Sequence, residues 1–377
     1  MHNVRYLCAS VIISFCLVGC GDQRILEKLG FIHTMSYDLM PKEEGQTQEN
    51  LMISVSLPKA DPEGKTKRET LTAIATTSKT ARIKLSRLTE LYLVSGQIRN
   101  TLYGINLAKK GLMEQIDTLL RDPSISQRVK VTVVNGNAHD LLIKDYLPHP
   151  RTGKYIDRMI EKESDSQNIP SVALYEFTRD LFDDGIDPVA PIIKEHGRDV
   201  IIDGIALFNE DRFITKIEPD KALIFAILRG NIKQGELSID LKKTGRNEEH
   251  VMFSSLKSKR KIKVSSNESR NQFTIDINLT IKGSVLEYIG VLKLSEEKNR
   301  REIEKLISDY IKKESNEMIA KMQKNEVDSL GLGKRVRNSM SYSEWNNLNW
   351  KQVYPHVNVR CNVQIKIKNY GKFEKLN

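Results

Sequence analysis

VNVRCNVQIKIK, residues 357–368, alternates without a break: Val357, Val359, Cys361, Val363, Ile365 and Ile367 against Asn358, Arg360, Asn362, Gln364, Lys366 and Lys368. Successive side chains of a strand point to opposite faces, so this stretch has one buried face and one wet one. Cys361 shares the apolar side and reads as a small core residue rather than a reactive thiol. Such a strand needs partners, and the preceding sequence offers them at Asp199–Phe208, Arg212–Ile217, Ile232–Leu241, Val251–Leu256, Arg260–Val264 and Gln272–Lys282. Short turns between these favour antiparallel pairing. A short helix, Pro219–Leu228, interrupts them with Pro at its first position. From Ser295 to about Lys324, Ile303, Leu306, Ile307, Tyr310, Ile311, Met318, Ile319 and Met322 recur every three or four residues, the stripe of a long amphipathic helix. Leu330-Gly-Leu-Gly333 then stops and turns the chain. A second helix, Ser343–Tyr354, carries both tryptophans, Trp345 and Trp350.

The first half reads differently. Leu51–Leu57 and Val129–Val134 are strands, and Leu88–Gly96 a further buried one. Helices are expected over Arg68–Leu85, Leu102–Arg121 and Ala138–Ile143, and from Ser171 as cap to Asp184, with Gly185 as the stop. Residues 144–170 read as a long connection. The expected fold is therefore α+β: a mixed α/β N-terminal part, then a largely antiparallel sheet with a long helix. The expected division is a leader over 1–19, an N-terminal α/β domain over 20–198 and a C-terminal α+β domain over 199–377.

The leader is the sharpest local signal. Tyr6–Val18 is apolar for 13 residues behind Arg5, too short for the ~20 residues that span a bilayer but the size of a signal-peptide core. It ends in Leu17-Val18-Gly19-Cys20, the pattern of a lipobox. A small residue before the cysteine lets a peptidase reach the scissile bond, and the thiolate takes up lipid. Cys20 is thus the expected lipidation site, and two acyl chains of the palmitate kind give stable attachment to a bilayer. Cys8 and Cys16 leave with the leader. Cys361 then remains as the one thiol, so no internal disulfide and no thiolate cluster is expected.

The chain of 377 residues has a formal net charge of +10, and losing Arg5 leaves +9. This favours an anionic partner, and for an exported, tethered protein that means phospholipid rather than nucleic acid. Lys257-Ser-Lys-Arg-Lys-Ile-Lys-Val264 concentrates the charge. In a strand, Lys257, Lys259, Lys261 and Lys263 share one face and Arg260, Ile262 and Val264 the other. The plain reading is a solvent-facing edge protected by lysines; the functional one is contact with anionic headgroups or an acidic partner.

No catalytic constellation stands out. The seven histidines are scattered, and no zinc-protease, nucleophile-elbow or phosphate-loop motif occurs. Asp180, Asp183, Asp184 and Asp187 around Gly185 lack the alternate spacing and closing Glu of a calcium loop, and read as a solvated helix end. No catalytic, cofactor-binding or metal-ligating residue is assigned, and no enzyme activity is expected.

Several blocks together resemble one family. They are the lipobox with Asp22-Gln-Arg24; Ala108-Lys-Lys-Gly-Leu112, Ile116-Asp117 and Leu120-Arg-Asp122; Val129–Val134 with Gly136-Asn-Ala138; Asp203-Gly-Ile-Ala-Leu-Phe208, Phe213 and Leu228-Arg-Gly230; and Gln323, Asp328, Gly331-Leu-Gly333, Trp350-Lys, Val357–Ile367 and Gly371. In this order the chain resembles the C-subunit lipoproteins of spore germinant receptors, the Ger(x)C family, over essentially its whole mature length. Gly21 and Ile25 depart from that family's usual Trp and acidic residue. The resemblance implies a lipid-anchored, non-enzymatic subunit at the outer face of the spore inner membrane. There it sits beside integral-membrane A- and B-type receptor subunits and supports nutrient-triggered germination. A rival is a lipid-anchored solute-binding protein capturing a small nutrient; that class needs two similar lobes, which the two unlike halves do not offer.

Overall fold

A computed structural model describes residues 28–41, 49–59, 67–146, 149, 151–170, 172–241, 249–267 and 272–370. The first part runs β1 (Leu29–Phe31), β2 (Thr34–Leu39), β3 (Leu51–Lys59), β4 (Lys67–Ala75), α1 (Ser78–Ser86), β5 (Tyr92–Val94), β6 (Asn100–Gly104), α2 (Ile105–Lys110), α3 (Met113–Leu120) and β7 (Lys130–Val134). It continues through α4 (Ala138–Ile143), α5 (Thr152–Asp165), α6 (Leu174–Phe182), β8 (Val189–His196), β9 (Asp199–Asn209) and β10 (Arg212–Ile217). The second part has α7 (Ala222–Arg229), β11 (Leu237–Asp240), β12 (His250–Ser266), β13 (Phe273–Ile289) and α8 (Glu297–Lys324). It closes with α9 (Leu332–Arg337), α10 (Tyr342–Asn347), α11 (Trp350–Val353) and β14 (Asn358–Asn369). The fold is α+β, as its sequence pattern indicates.

Eight strands form one sheet in the order β10-β9-β8-β7-β6-β2-β3-β4. Its centre is parallel (β2, β6, β7, β8), and an antiparallel hairpin closes each side, β3/β4 and β9/β10. A smaller sheet runs β11-β12-β13-β14. Its first three strands are antiparallel, and β14 returns parallel to β13. A parallel return needs a crossover, and α8 supplies it. At 28 residues, α8 is about 42 Å long at 1.5 Å per residue. It buries Ile303, Ile307, Ile311, Met318, Ile319 and Met322, and it is pinned to β14 by Ser308 Oγ donating to Val363 O at 2.8 Å and Ile367 N to Glu304 at 2.7 Å. Cys361 is buried on the inner side of β14, and burial pushes its thiol up.

Several sequence expectations are corrected. Arg68–Leu85 is not one helix: β4 precedes α1. Leu71, Ala73 and Ala75 are buried in alternation with Thr72 and Ile74, a period of two, and Thr77 caps α1 by accepting from Thr80 N. Leu102–Arg121 begins as β6, which is buried at every position. Central parallel strands are covered on both faces and lose the alternation that marks a strand. Its helical remainder breaks at Gly111, φ +133°, where a Cβ would sit 2.5 Å from Asp211 Oδ2. Leu88–Gly96 contributes only the short β5, with Tyr92 exposed. The 144–170 connection contains α5, and β8 was not anticipated. The Ile232–Leu241 strand shortens to β11, and Ser343–Tyr354 splits into α10, α11 and a 3-10 turn. The two expected strands at 251–264 are one, β12, running over a bulge at Ser255 (φ +53°). The expected cap Ser171 lies outside the described residues, and the expected boundary at 198/199 falls in the two-residue hairpin turn between β8 and β9.

Gly204 fixes the outer hairpin of the large sheet. Its φ is +117°, and a Cβ there would lie 2.0 Å from Ile217 O. Gly204→Ala is expected to cost about 2–3 kcal/mol or more from strain and displacement, read as a lowered midpoint in urea unfolding.

Candidate functional site

Two places concentrate polar chemistry. The first is a latch joining the lead-in to β8 with the turn after α8. Asp328 is 2% exposed, yet its carboxylate accepts three N–H groups: Leu332 N at 2.8 Å, Gly333 N at 2.7 Å and Trp350 Nε1 at 3.1 Å. Its backbone N donates to Asp187 Oδ2 at 2.6 Å, and its carbonyl accepts from Asp187 N at 3.0 Å. Asp187 Oδ1 also takes Glu210 N. Glycine is required twice. Gly185 (φ +82°) would place a Cβ 2.5 Å from Gly333 C, and Gly333 would place one 2.4 Å from Trp350 Nε1. Burial pushes the Asp328 carboxyl up to about 8; the N–H donors of Gly333 and Leu332 hold it back, and neighbouring Asp187 adds to the rise. Asp187 is also raised, chiefly by burial.

The acidic cluster belongs to this latch, which corrects its reading as a solvated helix end. Asp180 is 2% exposed and pairs with Arg179 and Arg229, at 2.6 Å to the latter. Asp183 pairs with Lys334 and Arg337. Only Asp184 stays out in solvent, offering its carbonyl to Arg337. A buried charge is expensive unless paired and hydrogen-bonded: Asp180 and Asp183 are ion-paired, and Asp187 accepts two backbone N–H groups. Among the described residues no group of three or more His, Cys, Asp or Glu is placed to hold a metal.

The second place is a cleft of about 1080 Å³ between α5, β9 and the start of α7. Its floor is apolar, with Met159, Ile169, Val200, Ile202, Leu223 and Leu237. Along one wall α5 presents Lys154, Arg158 and Lys162, with Arg151 just before it; Asp220 and Glu236 stand among the other lining residues. Tyr155 is held rigidly there, stacked on His149 with centroids 3.8 Å apart and donating to Val200 O at 3.2 Å. Arg151, Lys154 and Arg158 have no ion-pair partner among the described residues. The chemistry suits a small molecule with an apolar body and a charged end. Sequence reasoning missed this cleft because α5 lay inside the supposed connection. It also missed the Asp328–Trp350 bond, which spans 22 positions and leaves no periodic trace. Cys20, the expected lipidation site, lies outside the described residues. No helix among them is long and apolar enough to cross a membrane.

Residues 22–195 match the spore germination protein N-terminal domain, and residues 203–371 match the spore germination B3/GerAC-like C-terminal domain. The chain is 26% identical over 367 residues to the spore germination protein GerQC of Bacillus cereus, covering 97% of this chain and 98% of that one. It is 22% identical over 389 residues to the putative spore germination protein YfkR of Bacillus subtilis (strain 168), covering 100% and 99%. The crystal structure of the GerBC protein superposes with a TM-score of 0.55 at 17% identity, covering 88% of this chain and 97% of that one. That likeness is one of fold.

Asp328→Ala strands three N–H groups in a dry site and is expected to lower stability by about 3–5 kcal/mol. Trp345 and Trp350 are the two tryptophans of the chain, so fluorescence-monitored urea unfolding reads the latch directly. The pH dependence follows from the raised carboxyl. Its protonated form is favoured in the folded state, so this contribution to stability is full below about pH 4 and is lost as pH rises toward 8. Tryptophan fluorescence of the native protein should show a step near pH 8 that Asp328→Ala abolishes.

Proposed function

The chain belongs to the spore germination family defined by this N-terminal domain and its GerAC-like C-terminal partner, and on that premise we propose that it is the lipid-anchored, non-enzymatic C subunit of a spore germinant receptor. In this reading Cys20 carries the lipid, the body rests at the outer face of the spore inner membrane, and its task is assembly or signalling with integral-membrane A- and B-type subunits when a nutrient arrives. The observation that carries it is the ordered pair of domain matches across residues 22–371. The division proposed is 20–198 and 199–377, with the β8/β9 hairpin of the large sheet spanning the turn between them.

The cleft favours a second reading, direct capture of a small nutrient by the same tethered protein. Saturable binding of one nutrient in equilibrium dialysis, weakened by Lys154→Glu with Arg158→Glu, would support capture. Flat isotherms for both proteins would remove it.

Deletion of the coding sequence, together with any functional paralogue, is expected to abolish the response to the receptor's nutrient while spores still germinate with dipicolinate. An unchanged nutrient response rejects the receptor role. Cys20→Ala is expected to move the protein from the membrane pellet to the unprocessed or soluble fraction and to slow nutrient germination. If it stays membrane-bound with normal acyl content, the anchor lies elsewhere.

A further inference from the structure

The outward face of the small sheet is a grid of charge. The strand registers place Lys257, Lys282 and Lys366 side by side in one row. The next rows are Lys259, Thr280 and Gln364; then Lys261, Asn278 and Asn362; then Lys263, Asp276 and Arg360. Twelve positions thus hold seven cations and one carboxylate. With strands about 4.8 Å apart and alternate residues about 6.8 Å apart, the grid measures roughly 10 by 20 Å. None of the seven cations has an ion-pair partner among the described residues. The intervening residues, including Ser258, Ile277, Leu279, Ile281, Cys361 and Ile365, are buried on the opposite side.

Folding gives no reason for this arrangement. Like charges directly opposite on neighbouring strands destabilise a sheet, and the Lys257–Lys282–Lys366 row places three abreast. Lysines do protect exposed edges, but Lys282 stands on β13, which is flanked on both sides by β12 and β14. The repulsion is a standing cost to the fold, and an anionic partner laid on this face would relieve it. The character of the face selects the partner. Six of the seven cations are lysines, point charges on flexible stems rather than planar guanidinium forks. The grid carries no aromatic ring on which a nucleic-acid base would stack. Beyond the Lys257–Lys282–Lys366 end, four, seven and nine residues after Lys282 along β13 and just past it, come three exposed apolar side chains: Leu286 (69% exposed), Ile289 (54%) and Val291 (82%). Basic charge next to exposed aliphatic groups is the composition of a surface that settles at the headgroup–acyl boundary.

We propose that this face docks flat on an anionic phospholipid surface, with the lysine row over the headgroups and Leu286, Ile289 and Val291 dipping below them. The inference deepens the membrane-tethered reading above and rests on it: a lipid chain supplies attachment, and the sheet face sets which side of the body looks at the bilayer.

The test uses residues 21–377, which retain every described element and lack Cys20, so its result does not depend on lipidation. Co-sedimentation with phosphatidylglycerol–phosphatidylcholine vesicles is compared with phosphatidylcholine alone at low and high salt. The expected result is binding to the anionic vesicles only, falling as salt rises. Each surface lysine contributes about fivefold, so Lys257→Gln with Lys282→Gln and Lys366→Gln should weaken binding about a hundredfold. Its melting temperature should hold or rise, because the repulsion is relieved. A charge-matched control, Lys109→Gln with Lys298→Gln and Lys313→Gln, should bind within a few-fold of the unaltered protein. Equal binding to neutral vesicles, equal losses in the two variants, a lowered melting temperature of the row variant, or capture by RNA or polyglutamate with none by vesicles would each overturn the proposal. Failure here with a normal Cys20 fractionation leaves the tether intact and removes only the docking face.

Discussion

The fold turns on one carboxylate placed where water is absent. Asp328 gathers Leu332 N, Gly333 N and Trp350 Nε1 onto two oxygens, while its own backbone exchanges hydrogen bonds with Asp187. Remove it and the chain after α8 has no reason to turn back toward β8. That turn is one of several places where the two parts are joined, Lys321 Nζ to Lys216 O and Gln234 Nε2 to Asp165 O among the others, and Trp350 at the start of α11 is bound to it. Burial raises the cost of the charge beyond what the N–H donors offset, which holds the carboxyl up at about 8, and Gly185 and Gly333 let backbones approach where any Cβ would collide.

Much of this was legible in the sequence where periodicity had only one interpretation. The last strand, the stripe of α8 and the small helix after Asn137 follow patterns that solvent exposure on one face imposes, while Val129–Val134 is marked by its run of β-branched residues although Val131–Val134 is buried at every position. Legibility failed where that condition failed. β6 is enclosed on both faces and reads as Asn-Thr-Leu-Tyr-Gly, with Asn100 buried and donating to Gly153 O, so neither alternation nor apolarity marks it. β4 reads as helix in the sequence because Leu71, Ile74 and Ala75 fit a helical spacing as well as a strand. The acidic cluster misled for another reason: its counter-charges, Arg229, Lys334 and Arg337, are distant in sequence, and paired acids look solvated until their partners are seen. The Gly331-Leu-Gly333 turn and Asp328 were visible as matching residues of a family, but nothing in their spacing showed that they close on Trp350.

The candidate sites divide the same way. The basic run on β12 was evident, since four alternate lysines sit in one segment. Its extension onto β13 and β14 was not, because Lys282 and Lys366 acquire meaning only through register. A lone lysine on each strand is an ordinary solvated residue; three in a row across the sheet is an electrostatic cost. Register converts composition into a surface.

That cost also separates the roles of the two sheets. The large sheet is walled on its faces by helices and closed at its sides by hairpins, so its specific chemistry is confined to the cleft beside α5. The small sheet buries one face against α8 and leaves the other bare. A bare polar face is normal, because solvation stabilises it; a bare face carrying seven cations against one carboxylate is stable only to the extent that the core beneath it is deep. Ile275, Ile277, Leu279 and Ile281 on β13, on the side where α7 packs, and Cys361 on β14, on the side where α8 packs, provide that depth. The length of α8 therefore does more than close a crossover. It supplies the apolar contact that lets this sheet carry its repulsive outer face without a partner and still remain folded.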